Sequence, residues 1–434
     1  MKNNPEFACR EFVCRELAIR ELAMTGFLLC VFISSPNLAY AKAGSLDPTF
    51  GNGGKMVTSI PVQETPFAAA LDAALDQAGN VVVVAATNGA GNSASVARFG
   101  PSGALDSSFG NMGVAPVPFQ LAGEGLAVSI QSNGQIVVGG TTNGEAGASD
   151  FALARYNSNG TLDQSFGSGG QVTTGFSPFA AVLQVILLEP NGEIVASGQV
   201  IMAGTTPFTT VTGAALARYT SNGEPDASFG SSGTVTLPGV TELTALALRS
   251  DSQILFTSNS IGLALDANGN ALGTVSGIAA VAHVGSMDFQ PNGELVSAIE
   301  QATQRDSETS AVLATRTYAN GSVDASFSAP LFSFSSGVQF QEFSHSIPLA
   351  VSIAPDDKIL IGGNSNTDMT QPVFGLARLN SNGSLDAAFG SGGVLTTAFA
   401  QAGTVEKLLV QTDGKIVAIG SAGTRLTLAR YLGK

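Results

Sequence analysis

Histidine, cysteine and tryptophan are almost or wholly missing from this 434-residue chain. It has two histidines, three cysteines and no tryptophan. His283 and His345 do not have the spacing of a zinc-ligand pair, and all three cysteines precede residue 31. The lack of tryptophan, with only five tyrosines, leaves few rings for stacking on sugars. These scarcities favour a protein without catalytic or metal chemistry, so we expect no catalytic residue, cofactor or metal.

Charge is also scarce, and most of it is negative. Charged residues make up 12% of the chain and hydrophobic ones 44%, and the formal net charge is -14. This composition is typical of a packed globular protein. An acidic surface disfavours nucleic acid and anionic membranes as partners.

The N-terminal 41 residues have the features of an export signal. The apolar run Gly26–Ile33 is too short to span a membrane, and Ala39-Tyr40-Ala41 is a small-x-small cleavage site. We therefore predict a signal peptide over residues 1–41 and a single mature domain over 42–434, secreted or held in the periplasm or envelope of a bacterium. A retained membrane anchor and a lipoprotein modified at Cys30 are the alternatives. The mature chain would have no cysteine and no membrane insertion.

A two-part repeat fills the rest of the sequence. The first part, as in "VSIQSNGQIVVGG" (Val128–Gly140), has apolar runs around a pair of the Asn-Gly or Asp-Gly type, which is a strong hairpin signal, and seven copies of this part occur. The second part is "FALARYNSNGTLDQSFG" (Phe151–Gly167), in which a turn at Ser158-Asn159-Gly160 joins two predicted strands. Each unit thus has two hairpins, or four antiparallel strands.

Seven four-stranded units predict an all-β protein, a seven-bladed β-propeller. An open β-solenoid is the alternative, but it needs capping repeats. The last unit stops at "ARYLGK", and its missing "SLDxxFGxGG" lies at Gly44–Gly54. We therefore expect the N-terminal strand to complete the last blade and close the ring.

An Arg and an Asp occur together in six copies of the second part. Eight residues separate them in five copies, and the sixth pair joins the two termini. The pairs are Arg98/Asp106, Arg155/Asp163, Arg218/Asp226, Arg316/Asp324, Arg378/Asp386 and Arg430/Asp47. In the fourth unit Leu265 and Gly273 stand at the aligned positions. We interpret the pairs as structural ion pairs within each blade; a ring of calcium ligands is the alternative.

The pattern "D/NGKIVVxG … FxLARYNxNGSLDxSFGxxG" resembles the delta-60 repeat family of bacterial surface and exported proteins, over about Gly44–Lys434. The resemblance implies an exported, propeller-like domain. It brings no catalytic residues with it.

Ligand binding is expected on the face of the propeller where the connections differ between blades. Its polar candidates are Asp306, Glu308, His345 and Asp368. The sequence predicts a monomeric binding or scaffold protein for an unidentified protein or glycan. The alternative is a propeller enzyme, a lyase or hydrolase of carbohydrate.

Overall fold

The computed structural model describes residues 42–58, 69–86, 93–119, 126–143, 149–203, 210–240, 243–258, 261–275, 284–302, 310–334, 345–366 and 372–434. All of them belong to one compact unit, residues 41–434. They form 27 strands, and none of the residues in these ranges is helical.

The strands group into seven antiparallel sheets, which are the blades. The chain begins with β1 (Lys55–Thr58). The first blade contains β2 (Ala69–Leu75), β3 (Val81–Ala86), β4 (Ala94–Phe99) and β5 (Val114–Pro116). The second contains β6 (Leu126–Ile130), β7 (Ile136–Asn143), β8 (Ser149–Tyr156) and β9 (Gln171–Thr174). The third contains β10 (Ala180–Leu188), β11 (Ile194–Ala203), β12 (Thr210–Tyr219) and β13 (Thr234–Pro238).

The remaining blades follow the same order from the innermost strand outward. The fourth contains β14 (Leu243–Leu248), β15 (Ile254–Ser258), β16 (Ile261–Leu265) and β17 (Ala271–Val275). The fifth contains β18 (Val284–Phe289), β19 (Leu295–Ala302) and β20 (Ser310–Thr317), and a single bridge from Val312 to Phe332 stands in place of its fourth strand. The sixth contains β21 (His345–Ile353), β22 (Ile359–Asn366), β23 (Val373–Leu379) and β24 (Val394–Thr397).

The seventh blade joins the two ends of the chain. It contains β25 (Gly403–Val410), β26 (Ile416–Ala422) and β27 (Arg425–Tyr431), and β1 adds to β27 as its outer strand. The register pairs Lys55 with Ala429 and Thr58 with Leu426. On its inner side the same blade packs against β2 of the first. The predicted seven-bladed propeller, closed by the N-terminal strand, is confirmed.

The core lies between blades, because each strand alternates its side chains between two neighbours. In β3, Val81 and Val83 pack against the seventh blade, whereas Val82 and Val84 pack against the second. Seven such apolar clusters occur, one for each junction of the ring. The repeat is therefore stable only as part of a stack.

The second part of each repeat differs from the predicted hairpin. After the turn, only Leu162 forms a bridge, to Tyr156, and the next residues fold into a compact loop. In that loop the N–H of Asp163 donates to the carbonyl of Arg155 (2.8 Å), and that of Gly170 donates to the carbonyl of Phe166 (2.9 Å). The fourth strand, β9, begins only after these residues. Because the loop satisfies its backbone groups locally, the motif holds a side-chain network and does not add a strand.

Candidate functional site: the arginine ring and the central cavity

The six Arg–Asp pairs lie at the face of the propeller that carries the tight turns. In each pair a guanidinium nitrogen lies 2.5–2.9 Å from a carboxylate oxygen. The Cζ atom of each arginine also lies 4.6–4.9 Å from the centre of a phenylalanine ring, which is the Phe of an "FG" motif except in the fifth blade, where Ser328 follows Phe327. These cations are therefore held both by a carboxylate and by the face of a ring.

Each arginine of these pairs also contacts the next blade. Arg155 Nη1 donates to the carbonyl of Ser221 (2.6 Å), in the loop of the third blade. The equivalent Nη1 donors and carbonyl acceptors are Arg98 and Ser158, Arg218 and Ala267, Arg316 and Ser381, Arg378 and Gly433, and Arg430 and Pro101. The last contact crosses from the seventh blade to the first. The motif therefore links neighbouring blades, and within one blade it links the third strand to the loop that follows it.

Asp163 shows how one carboxylate is held in this network. It accepts bonds from Arg155 Nε (2.8 Å), Gln135 Nε2 (2.6 Å) and the Ser165 hydroxyl (2.7 Å). Burial raises the pKa of Asp163, but the hydrogen bonds from Ser165 and Arg155 outweigh it and hold the pKa below its ordinary value. The carboxylate therefore stays ionised beside its arginine at neutral pH.

The fourth blade corrects the alignment read from the sequence. The register pairs Leu255 with Ala264, as Val195 pairs with Arg218, so Ala264 and not Leu265 takes the arginine position. Leu265 fills the place of the tyrosine and is buried. By the same shift of one residue, the exposed Leu272, not Gly273, takes the aspartate position, and Val275 takes that of the phenylalanine. All three members of the network are lost together.

Another arginine of the same blade makes the missing contact. Arg249, from the turn between β14 and β15, donates through Nη1 to the carbonyl of Ala319 (2.8 Å). This carbonyl is the fifth-blade equivalent of Ser221, since each precedes the turn glycine by two residues. Arg249 takes Asp251 as its carboxylate partner. Seven arginines therefore contact seven successive loops.

A cavity of about 740 Å³ occupies the centre of the ring, and the innermost strands of all seven blades line it. It reaches the surface at the exposed turn residues Pro190, Ser250 and Pro291. Its charged lining residues are Asp72, Arg249, Asp288, Glu406 and Lys407. Since these residues come from four different blades, only the closed ring brings them together.

The charged groups of the cavity are not all paired. Lys407 Nζ lies 3.0 Å from Asp72 Oδ1, and the carboxylate of Asp72 raises the pKa of Lys407. Asp288 accepts the N–H groups of Phe289 (2.8 Å) and of Ile353 in the next blade (3.0 Å). Burial raises the pKa of Asp288 despite these bonds. The cavity thus contains a carboxylate that is poorly solvated and forms no ion pair among the described residues, although the charge of Lys407 acts to lower its pKa.

Glu406 is a second carboxylate of this kind. It accepts one bond, from the Thr404 hydroxyl (3.0 Å), and burial raises its pKa. It occupies the bulge of β25, the extra residue between Val405 and Lys407, and Gln184 occupies the corresponding bulge of β10.

The repeat alignment contained a signal for these cavity residues. Asp72 and Lys407 occupy one repeat position, at which the other blades have Ala, Val or Ser. A charged side chain at a repeat position that is uncharged in the other blades is what distinguishes them, but their contact across the seam between blades depends on ring closure.

The residues predicted to bind a ligand lie largely beyond the structural description. Asp306, Glu308 and Asp368 fall outside the described residues, as does His283. His345 begins β21, where its backbone pairs with Asn366, but its side chain is not described. Their roles remain predictions.

The blades differ most at the face opposite the tight turns. In the third blade β11 and β12 each have ten residues, whereas β15 and β16 of the fourth have five. Both hairpins begin next to a tight turn, so their different lengths appear at the opposite end. At about 3.3 Å per residue, the third-blade hairpin extends about 16 Å further than its neighbour.

No helix in the described ranges is long and apolar enough to cross a membrane. No group of three or more His, Cys, Asp or Glu side chains in those ranges is arranged to hold a metal ion.

A family model described as "Domain of unknown function (DUF5122) beta-propeller" matches residues 131–166, 189–229 and 354–389. Each match runs from a first-hairpin turn to the Phe of the "FG" motif, in the second, third and sixth blades. The fold defines the class of the protein, a β-propeller built from repeats, and three of its blades match a β-propeller family model. No curated protein matches the sequence.

Solved structures of low identity resemble the chain. A glucose dehydrogenase has 8% identity and a TM-score of 0.38, over 71% of this chain and 96% of its own. A luciferin-regenerating enzyme has 10% identity and a TM-score of 0.38, over 88% and 96%. A protein of unknown function from Bacteroides caccae has 10% identity and a TM-score of 0.36, over 70% and 90%. Likenesses at this level carry no argument about function.

Proposed function

We propose that the protein is an exported β-propeller that binds a protein or glycan through the face opposite its tight turns. The apolar segment and cleavage site before residue 42 support export, and the repeat pattern supports membership of the delta-60 repeat family. The sparse histidine and the absence of tryptophan support a binding or scaffold role.

The unequal hairpins carry this proposal. The tight-turn face is nearly the same in every blade, because the arginine contacts require one loop geometry. The opposite face has no such constraint, and the third-blade hairpin overhangs the short fourth blade by about 16 Å. Variable segments on a rigid frame are where binding commonly evolves. Ile201, on the overhanging part of β11, is 41% exposed and offers an apolar contact.

The test is binding to glycan and peptide arrays by the protein and a shortened variant. In the variant, Asn-Ser replaces residues 199–214, which gives the third blade the hairpin length of the fourth. We expect the unaltered protein to bind at least one ligand on the arrays and the shortened variant not to bind that ligand. A milder variant, Ile201→Ser, should weaken binding without altering the fold, and Met112→Ser, which changes an exposed residue on a tight-turn loop, is the control. Absence of any ligand, or equal binding by all variants, would contradict the proposal.

One observation favours the alternative, an enzyme acting on carbohydrate. Asp288 and Glu406 line one cavity and both have pKa values raised by burial, as a general acid requires. Incubation with a polysaccharide panel should then give new reducing ends or unsaturated products, which Glu406→Gln would abolish. If no product forms, the binding role stands alone.

A further inference from the structure

The turn that leads into β1 differs from every other Asn-Gly turn in the described ranges. Nine Asn-Gly pairs lie wholly within those ranges, and their asparagines are Asn52, Asn133, Asn159, Asn191, Asn222, Asn268, Asn292, Asn320 and Asn382. An asparagine that precedes glycine loses its side-chain amide readily, because the glycine has no Cβ to hinder attack of its backbone nitrogen on the asparagine Cγ. The reactivity of each pair therefore depends on whether that nitrogen is free.

In eight of these pairs the glycine nitrogen is already bonded. Each of the eight glycines closes a β-turn by donating its N–H to the carbonyl three residues earlier, as Gly134 donates to Gln131 (2.8 Å). The equivalent donors, at 2.8–3.0 Å, are Gly160, Gly192, Gly223, Gly269, Gly293, Gly321 and Gly383. Attack through any of these nitrogens must first break the turn that joins two strands.

Asn52 occupies a different position in its turn. Its N–H donates to the carbonyl of Lys55 (2.7 Å), and the N–H of Lys55 donates back to the carbonyl of Asn52 (3.3 Å). Asn52 is therefore the first residue of the turn, and the two central residues are Gly53 and Gly54, both with positive φ (60° and 91°). The nitrogen of the first central residue has no acceptor within such a turn, and Gly53 N has no hydrogen-bond partner among the described residues.

The surroundings of Asn52 leave the reaction unhindered. Asn52 and Gly53 are both exposed, and a Cβ built on Gly53 would meet no atom within 4 Å. The Asn52 side chain makes no hydrogen bond to the described residues. By contrast, the Asn133 and Asn159 side chains each accept a bond from the backbone N–H two residues later (both 3.0 Å). Both reacting groups are thus available only in the turn before β1.

We propose that Asn52 is a site of spontaneous deamidation and isoaspartate formation at the seam of the ring. The Gly53 nitrogen bonds to Asn52 Cγ, the Cγ–Nδ2 bond breaks, and the amide leaves as ammonia with the proton that Gly53 N gives up. Water then opens the succinimide at either of its two carbonyls, which yields isoaspartate or aspartate. The reaction consumes water alone and needs no oxidant, reductant or enzyme.

Isoaspartate at this position would act on ring closure. It routes the main chain through the side-chain carbons and so lengthens a two-residue turn, whose length sets the register of the segments that it joins. The carbonyl of Gly54, within this turn, accepts the N–H of Arg430 (2.9 Å), and β1 follows at once and pairs with β27. The modification should therefore loosen the outer strand of the seventh blade.

The test is incubation of the folded protein in mildly alkaline buffer at physiological temperature, followed by digestion and mass spectrometry of the peptides. We expect the Asn52 peptide to convert about tenfold faster than the Asn133 peptide, because the bond donated by Gly134 must break before attack. Asn111 is the control within the chain. It begins the same kind of turn in the first blade, where its N–H donates to Val114 (2.7 Å), but Met112 follows it and its side chain hinders attack.

Two results would overturn the proposal. The first is an Asn52 peptide that stays unchanged or converts no faster than the Asn111 peptide. The second is an advantage of Asn52 over Asn133 that persists in concentrated urea, where no turn is formed, since the cause would then lie in the local sequence and not in the fold. Similar rates for these two peptides in urea would support it.

A substitution taken from the other blades tests the effect on closure. Ser168, Ser231 and Ser391 begin the equivalent turns, so Asn52→Ser should keep the fold. After the same incubation, the melting temperature of the unaltered protein should fall as isoaspartate accumulates, and that of Asn52→Ser should not. An equal fall in both proteins would overturn the link to ring closure. The proposal is independent of the array ligand, since the turn before β1 and the third-blade hairpin are different segments.

Discussion

Removing Asp163 should destabilise the protein more than removing Asp163 and Arg155 together. The single change Asp163→Ala leaves a guanidinium that is 3% exposed without its carboxylate. It also frees the hydroxyl and N–H of Ser165, which both bond to Asp163 Oδ1. In the double variant Arg155→Met/Asp163→Ala, the uncompensated charge is absent and an apolar side chain fills the space over Phe166.

The magnitudes follow from the burial of the pair. Breaking a buried ion pair from one side costs about 3–5 kcal/mol. Both variants lose the bonds that Ser165 and Gln135 donate to Asp163, so this loss cancels in the comparison. Beyond it, the double variant loses the contact from Arg155 to Ser221 and the ring contact to Phe166, together about 2 kcal/mol. The two changes should therefore be strongly non-additive, with a coupling energy of at least ~2 kcal/mol.

Urea unfolding followed by far-ultraviolet circular dichroism measures these costs, since the chain has no tryptophan for fluorescence. Arg425→Met is the control, because Arg425 is exposed at the start of β27 and the change should cost under about 0.5 kcal/mol. A double variant that costs the sum of its two single variants would refute the reasoning.

Three further outcomes follow from the same network. Gly160→Ala should lower the free energy of unfolding by about 2 kcal/mol more than Gly293→Ala does. Both glycines have φ near +83°, but only at Gly160 would a Cβ meet a neighbouring blade, 2.6 Å from the Gly110 nitrogen. Equal urea midpoints for the two variants would count against this contact. Arg249→Gln should lower the free energy of unfolding by about 1–2 kcal/mol. An unchanged urea midpoint would show that the fourth blade does not need the contact that Arg249 makes in place of the missing arginine. The folded-state pKa of Asp163 lies below its ordinary value. The contribution of Asp163 to stability is therefore full above about pH 4 and is lost as the pH falls below that value. An Asp163→Asn variant whose stability has the same acid dependence would contradict this role.

The propeller and its closure could be predicted because each depends on a short-range, repeated pattern. Turns of the Asn-Gly or Asp-Gly type mark the hairpins, seven copies fix the number of blades, and the split last unit fixes the seam between Arg430 and Asp47. The strand position in the second part could not be predicted so well. Its residues alternate like a strand, but the backbone of the loop from Asn157 to Gly170 bonds within the loop, to Arg155 and to Asn222, and the loop displaces β9 towards the C-terminus.

The cavity was beyond a reading of single repeats. Asp72, Asp288, Glu406 and Lys407 each look like an isolated irregularity in one copy, and they come together only when the ring closes. The fourth-blade error has a similar cause. Without its Arg and Asp, that unit lacks the residues that fix its alignment with the other repeats, and a shift of one residue moved the arginine position from Ala264 to Leu265.

Deleting Gly44–Gly54 tests the central claim most directly. This segment supplies Asp47, which bonds to Arg430 (Nε to Oδ2, 2.9 Å), and Phe50, whose ring lies under the same arginine. It also leads into β1, the outer strand of the seventh blade. If the ring is closed through this strand, the deletion should lower the melting temperature of the whole domain in a single transition. An unchanged melting temperature, or the loss of only a small separate transition, would contradict the closed propeller.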